Sequence, residues 1–310
     1  MSRTVASALA TLAAVLTVAG VAGCGLGPGP GAGSVTVTVT RGFGHRVLRQ
    51  ISEGSVPGSE TVMRMLQRRF RVSTRYGGGF VQSIDGAAGD SSRHDWFYYV
   101  NGVEAPQGAA TTAVHRGDRI WWDLHDWYQT DSVPAVVGSF PEPFVHGVGG
   151  KRLPTVIECA PGNERACTEV SAELRATGVP VASQLLGTGS GTESLALLVG
   201  TWAQLRPTIV SALIAKGPGR SGVYARFSGS APSTLQLLDP EGRPGRTLGA
   251  GAGLVAATRD HVSQPTWVVT GTDATGVAAA AASLTPARLR NRFALAVQGA
   301  SYIPVPVNGG

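Results

Sequence analysis

Cys24 closes the tetrapeptide Val21-Ala22-Gly23-Cys24 at the end of an apolar stretch, and a thiol in that position is a site for acylation. Arg3 supplies a positive start, and residues 5 to 23 carry no charge. Small residues before the cysteine suit a signal peptidase with a narrow cleft. Cleavage is expected between Gly23 and Cys24, with a diacylglyceryl chain on the Cys24 sulfur. Two or three acyl chains on one residue anchor a protein stably, because each buried CH₂ is worth about 0.8 kcal/mol. The stretch is also long enough to span a bilayer uncut, which takes roughly 20 apolar residues, and an ordinary secretory signal is built alike. The cysteine at the cleavage position favours the lipoprotein. That reading puts the chain on the extracytoplasmic face of the cell membrane, held by its lipid anchor. The other two cysteines, Cys159 and Cys167, form an even pair. In an oxidising compartment they are expected to close a short disulfide loop. Zinc needs about four ligands, and no histidine lies near them.

Aromatic side chains come next. Trp96, Trp121, Trp122 and Trp127 fall within a span of about thirty residues, joined by Tyr98, Tyr99 and Tyr128. Trp121 and Trp122 are adjacent, so on a strand they point to opposite faces. One can fill a core; the other needs a groove, a partner or a covering element. An exposed aromatic can stack on a planar ligand or a sugar. The candidate ligand-binding residues are therefore Trp96, Tyr98, Asn101, Trp121, Trp127 and Tyr128. His115, Asp123, His125 and Asp126 also lie close together in sequence. They lack HxH or HExxH spacing, so they read as solvated polar residues and no metal is assigned. Arg116-Gly117-Asp118 reads as a turn.

Three segments occur in order: Ser83-Ile84-Asp85-Gly86, then Trp96-Phe97-Tyr98-Tyr99-Val100-Asn101-Gly102, then Gly117-Asp118-Arg119-Ile120-Trp121-Trp122. As a set they resemble a family of extracytoplasmic domains similar to the C-terminal domain of transcobalamin and intrinsic factor. In bacteria many of these are domains of unknown function. The resemblance covers about residues 34 to 127 and implies a β-grasp-like fold. In the cobalamin carriers this domain closes over a corrinoid held against a helical barrel. Here the attached half reads as α/β rather than helical. The resemblance therefore implies a generic binding role, with a cobalamin-like ligand as its most specific form and no resident cofactor.

Catalysis finds little support. No serine has glycine at both −2 and +2, so a nucleophile elbow is missing. The second half holds one histidine, His261, beside Asp260. Two Gly-rich loops, residues 187–192 and 271–276, lack a P-loop lysine and a GxGxxG pattern; they read as tight turns, with anion binding at a helix start as the alternative. The net charge is +6, yet no Lys/Arg run is interleaved with aromatics, which argues against a nucleic-acid partner. Eight arginines lie between Arg41 and Tyr76, and eight acids between Asp85 and Asp131. Two such segments are expected to attract each other within one fold.

The elements that carry these residues follow from periodicity. Val35, Val37 and Val39 alternate with polar residues, which predicts a strand. Val62, Met65, Leu66 and Phe70 lie on one helical stripe, with Ser59 as the expected N-cap. Strands are predicted at 71–76, 80–84, 96–100 and 119–125, with Asn101-Gly102 a hairpin turn. One helix and several strands in about 95 residues make an α+β pattern. The segment 129–153, rich in Pro and Gly, reads as a boundary with a strand at 135–137. Beyond it, strands are expected at 155–158, 179–186, 223–227, 234–238, 267–270 and 293–297. Helices are expected at 168–177 and 193–205, after Gly276 and from Pro286.

The domain reading is a signal peptide over 1–23, a Gly/Pro tether over 24–33, an α+β, β-grasp-like domain over 34–128, a boundary over 129–153, and an α/β domain with a mainly parallel sheet over 154–310. The expected function is non-catalytic binding of a small ligand or a membrane partner outside the cell, in association with vitamin or cofactor uptake and an importer permease. The alternative is a structural or assembly factor that binds other envelope proteins.

Overall fold

Valine every second residue commits the first described strand to one buried face. Val35, Val37 and Val39 of β1 (Val35–Arg41) are each at most 1% exposed. The computed structural model describes residues 34–90, 92–229, 233–260 and 263–308. Cys24, the leader and tether expected before residue 34, and His261 lie outside the described residues. Strand β2 (Arg46–Glu53) returns antiparallel to β1. Helix α1 (Val62–Arg69) follows, capped by Thr61 rather than Ser59: the Thr61 hydroxyl accepts from the Arg64 amide at 3.3 Å. Ser59 lies in the preceding turn and offers only its carbonyl, to the Arg64 guanidinium. Strands β3 (Val72–Arg75), β4 (Phe80–Ile84) and β5 (Ala87–Ala88) form a small three-stranded sheet.

Strands β6 (His94–Val100), β7 (Val103–Glu104) and β8 (Arg119–Asp126) complete a five-stranded sheet of order β2-β1-β8-β6-β7. Only β1 and β8 run parallel in it. Asn101 and Gly102 both take positive φ, 55° and 75°, as a two-residue hairpin turn between β6 and β7 demands. Alternation along β8 now has a consequence. Ile120 and Trp122 join Val37, Val39, Met65 and Leu66 beneath α1. Trp121 points the other way and meets Phe293, ring centroids 5.2 Å apart. Both tryptophans are 2% exposed. The aromatic that needed a covering element finds it in the second half of the chain.

That half begins with β9 (Thr155–Cys159), α2 (Glu164–Ala176), β10 (Val181–Leu185) and β11 (Leu195–Thr201). The Cys159–Cys167 disulfide ties the end of β9 to the first turns of α2. The short helices α3 (Trp202–Leu205), α4 (Ile209–Ala215) and α5 (Pro218–Ser221) lead to a meander of β12 (Ala225–Ser228), β13 (Thr234–Leu238) and β14 (Pro244–Leu248). The chain ends through β15 (Ala252–Thr258), β16 (Thr266–Gly271), α6 (Ala274–Ala281), α7 (Pro286–Leu289), β17 (Ala294–Gln298) and β18 (Ser301–Val305).

These strands build a seven-stranded sheet of order β10-β9-β11-β16-β15-β17-β18. The expectation of a mainly parallel sheet needs correcting. The ladders from β10 to β16 are parallel, while those from β16 to β18 are antiparallel. Short links force two of these ladders: seven residues join β15 to β16, and Gly299 and Ala300 alone join β17 to β18, whereas a parallel return needs a crossover of about a dozen residues. The helix expected at 193–205 is also wrong over most of its length. Residues 195–201 form β11, in the middle of the sheet, and its first six residues are buried. The strand expected at 135–137 is reduced to a single bridge between Ala135 and Val103.

The Gly-rich stretch 271–276 is a packing device. A Cβ on Gly276 would stand 2.1 Å from the Ala252 carbonyl oxygen, so α6 lies close on β15 and β16. Asp273 caps this helix by accepting from the Gly276 amide at 2.9 Å. The 187–192 loop precedes a strand and opens no helix.

One face of the seven-stranded sheet is covered by α2 and α6, with Ile157, Leu197 and Val199 meeting Val170, Leu174 and Val277. The other face is covered jointly by the β12–β14 meander, by α3 and α4, and by Phe43, Tyr99 and Trp121 of the first half. The two halves therefore share one core. Within residues 129–153, Val136, Val137, Phe140 and Phe144 are fully or almost fully buried.

Candidate ligand-binding cleft

Strand β6 pairs with β8 along its length, but with β7 only at Tyr99 and Val100. Beyond Glu104 the chain leaves the ladder. The Glu104 amide bonds to the Pro134 carbonyl at 3.2 Å, and Pro106 has no N–H with which to continue a strand. A wedge opens between β6 and residues 105–109. It forms a cleft of about 460 Å³, within the range of small-molecule sites.

Aromatic rings make its walls. Trp96, Tyr98 and Trp122 line it from one face of the sheet and Phe80 from β4, with Met63 of α1 beside them; Phe97 borders it but turns its ring to the opposite face, onto His125. Tyr98 stacks on Trp122, centroids 4.8 Å apart at 26°. Its hydroxyl donates to the Gln107 carbonyl and lies 2.8 Å from the Thr112 hydroxyl. The ring is thus fixed at both ends, and burial raises its hydroxyl pKa. Asp95 and Glu104 border it as well, but in the ladder they stand opposite His125 and Tyr99, on the face turned toward the second half. Asp95 accepts from the Trp96 amide at 2.8 Å. Burial raises the Glu104 carboxyl, an effect partly offset by the Ser132 hydroxyl and the nearby Arg259 guanidinium.

The core beneath the cleft has unfinished hydrogen bonding. Trp96 is 8% exposed and Trp122 is 2% exposed, and neither indole Nε1 has a partner. Buried donors are nearly always paired, so each such exception asks for a reason.

Of the residues singled out in the sequence, the structure brings Trp96 and Tyr98 together here. It takes Asn101 and Trp121 off the surface. Asn101 is fully buried and donates to Asp118 and to the Gly147 carbonyl, each at 2.9 Å; its role is to lock the hairpin turn. Trp121 donates from Nε1 to the Thr40 hydroxyl at 2.6 Å, inside the shared core. Tyr128 is exposed and carries Arg93 over its ring at 5.4 Å, and Trp127 is half-buried; neither lines the cleft. Phe80, Phe97 and Glu104 were not anticipated. Phe97 carried a weak signal, since it sits between two aromatic neighbours on a predicted strand.

Of the four polar residues expected in solvent, His115 is exposed, while Asp123, His125 and Asp126 are buried. Asp123 is 0% and His125 2% exposed. Asp123 accepts from the Phe43 and Gly44 amides at 2.9 Å each, from the Thr40 hydroxyl, and from His125 Nδ1 at 2.9 Å. His125 is stacked between Phe43 and Phe97, with centroids at 4.5 and 4.3 Å. Asp118 faces His115, and Asp126 pairs with Arg93, so these acids are engaged separately. No group of three His, Cys, Asp or Glu suited to a metal occurs among the described residues. The basic and acidic segments do meet, through Arg49 and Asp85 at 3.1 Å. Most basic contacts of α1 go instead to Glu53 and Glu60.

Residues 59–126 match the family model of a domain of unknown function, DUF4430. The match covers less than a quarter of the chain and contains every residue that lines the cleft. It falls within the segment that carries the resemblance to the transcobalamin C-terminal domain. No curated protein matches the chain. Among solved structures, a protein from Ruminococcus gnavus described as a "putative metal binding protein" is 20% identical. The alignment covers 31% of this chain and 98% of that one, with a TM-score of 0.25. No described helix is long and apolar enough to cross a membrane.

Proposed function

We propose that the chain is an extracytoplasmic lipoprotein, anchored through Cys24, whose DUF4430 segment binds a small ligand in the β6 cleft without transforming it. The observation that carries this reading is a cleft of about 460 Å³ walled by the rings of Phe80, Trp96, Tyr98 and Trp122. Aromatic walls with a few fixed polar groups are how small-molecule sites are built. The helix-over-sheet arrangement of residues 34–128 suits a β-grasp-like binding domain, and the α/β half from residue 154 supports it through the shared core. Association with vitamin or cofactor uptake, and with an importer permease, rests on the transcobalamin resemblance. A corrinoid is larger than the cleft and would engage it with one edge only.

Two measurements test this. Mass spectrometry of the mature chain should find a diacylated Cys24 at its amino terminus; an unmodified thiol behind an intact leader overturns the anchor. Calorimetric melting of the full-length chain against corrinoids, haem and small aromatic compounds should find at least one that raises the melting temperature. The shift should vanish when the cleft is filled by Gly108→Trp, at a position where a Cβ meets open space. No shift with any compound overturns the binding role.

A second reading, a structural or assembly factor of the envelope, is favoured by one feature. Tyr76 and Phe80, 83% and 62% exposed, meet edge-on at 5.7 Å beside the cleft, and such a pair suits a protein partner. Co-purification with wall-synthesis proteins rather than a permease would favour it.

A further inference from the structure

Strand alternation gives the first sheet a second face, turned away from α1. Val35, Val37 and Val39 lie beneath α1, so Thr36 and Thr38 point toward the second half of the chain. The ladders place Arg119 beside Thr36, Trp121 beside Thr38, and Gln50 across from Thr38. These side chains therefore share that face. Residues 138–139 and 290–291 approach it from above. A Cβ on Gly138 would stand 2.5 Å from the Arg292 amide nitrogen and 2.6 Å from the Trp121 ring, so the contact is close. A pocket of about 180 Å³ remains between the sheet and these two segments. Arg119 and Arg290 line it, and no Asp or Glu does. Its other polar side chains are hydroxyls and carboxamides, from Thr36, Thr38, Ser139, Gln50 and Asn291, and the Trp121 indole, already bonded to Thr40.

Arg119 donates from Nη1 to the Ser139 and Phe140 carbonyls, at 3.3 and 2.9 Å, which fixes its guanidinium at the wall. Arg290 is exposed at the border. Among the described residues neither arginine has a carboxylate partner. Thr38 is only 8% exposed, and its hydroxyl has no partner there either. A buried polar group in that position asks for one. Two guanidinium groups repel a cation, and a neutral ligand leaves both charges unanswered. An oxyanion accepts from guanidinium, hydroxyl and carboxamide alike, and such charge-assisted bonds are the strong ones. The volume lies below the roughly 300 Å³ at which organic ligand sites usually begin, so the occupant is one small group. We infer that this junction pocket binds a tetrahedral oxyanion, a phosphate or sulfate group. Arg119 keeps Nε and Nη2 for it, and Thr38 its hydroxyl. The walls come from both halves of the chain, so the bound anion bridges them. The inference is independent of the β6 cleft, which lies on the other face of the sheet.

Titration calorimetry of the full-length chain, in a chloride buffer at constant ionic strength, tests this with sodium phosphate, sodium sulfate and glycerol phosphate. Phosphate and sulfate should bind with a Kd of about 1 mM or tighter. Glycerol phosphate separates the sources. If it binds as well as the free ion, the site takes the phosphate end of a larger molecule; if it does not, the site takes the free ion, and both results uphold the pocket. Thr38→Val keeps the shape and removes the hydroxyl, and should weaken both ions about fivefold or more. Arg119→Gln should weaken them about tenfold or more. That change also removes two bonds to loop carbonyls, so Thr38→Val is the cleaner of the two. Arg64→Gln, on the exposed side of α1, should leave both affinities unchanged. Absence of binding by either ion overturns the inference. Affinity that survives Thr38→Val or Arg119→Gln overturns it too, as does an equal loss in Arg64→Gln, which would mark general attraction to surface charge.

Discussion

His125 donates from Nδ1 to the Asp123 carboxylate, 2.9 Å away and two residues earlier on β8. Both side chains are buried where the two halves of the chain meet. The same carboxylate also holds Thr40 and the backbone of the β1–β2 turn at Phe43 and Gly44. Asp123→Ala leaves several buried donors without an acceptor at once. Breaking a buried, fully satisfied network of this kind costs about 3–5 kcal/mol. Urea unfolding should show that loss. A change under about 1 kcal/mol would mean that the network contributes little.

Trp121 belongs to the first sheet by chain and to the second by packing. Because Phe43, Tyr99 and Trp121 form one core with Phe293 and Tyr224, the halves should unfold in one transition. Trp121→Ala should cost about 3–5 kcal/mol and lower the melting temperature of both together. Scanning calorimetry that resolves two transitions, only one of them moved by the substitution, would contradict a shared core.

The Cys159–Cys167 bridge closes a loop with a sequence separation of 8. Replacing both cysteines with serine should cost about 2–3 kcal/mol, the chain-entropy value for a loop of this length. Chemical denaturation with and without the bridge reads the difference directly. The cleft lies in the other half, so ligand binding at saturating stability should be unchanged.

Stability above neutrality should depend on His146. The Glu142 carboxylate, within 2.6 Å of its Nδ1, raises the imidazole pKa; burial opposes this and is outweighed. A histidine whose folded pKa is raised stabilises fully below its unfolded pKa of about 6.5. That contribution is lost as pH rises through the folded value. The unfolding midpoint of the native chain should therefore fall as pH rises above about 6.5. In His146→Gln that slope should flatten. An unchanged slope would remove Glu142–His146 from the account.

How much of this was legible in the residues depends on what each element faces. β1 and β8 announced themselves because apolar residues alternate with polar ones along them, even though their second face is also covered, at Thr40, Trp121 and Asp123. β2 did not, because Arg46 to Gln50 are all exposed and no apolar period is left to read. β11 was misread for the opposite reason. Buried on both faces, Leu195 to Val199 form an unbroken apolar run, and such a run carries no period to separate strand from helix. Trp96 and Tyr98 were visible as aromatics on a strand. Glu104 was not, because its place in the cleft depends on where the β6–β7 ladder stops. Trp121 needed a covering element that lies far along the chain, at Phe293, and no local pattern encodes such a distant contact.

The exposed face of β2 has one more consequence. An outermost strand is an invitation for a neighbouring copy to add itself as the next strand, and crowding makes that more frequent. Here the first sheet ends in a strand studded with Arg46 and Arg49, and the second ends in β18, where Pro304 interrupts the row of amide donors. Charge on one rim and a missing N–H on the other discourage copies from zipping into fibres, so many could stand side by side and remain separate molecules.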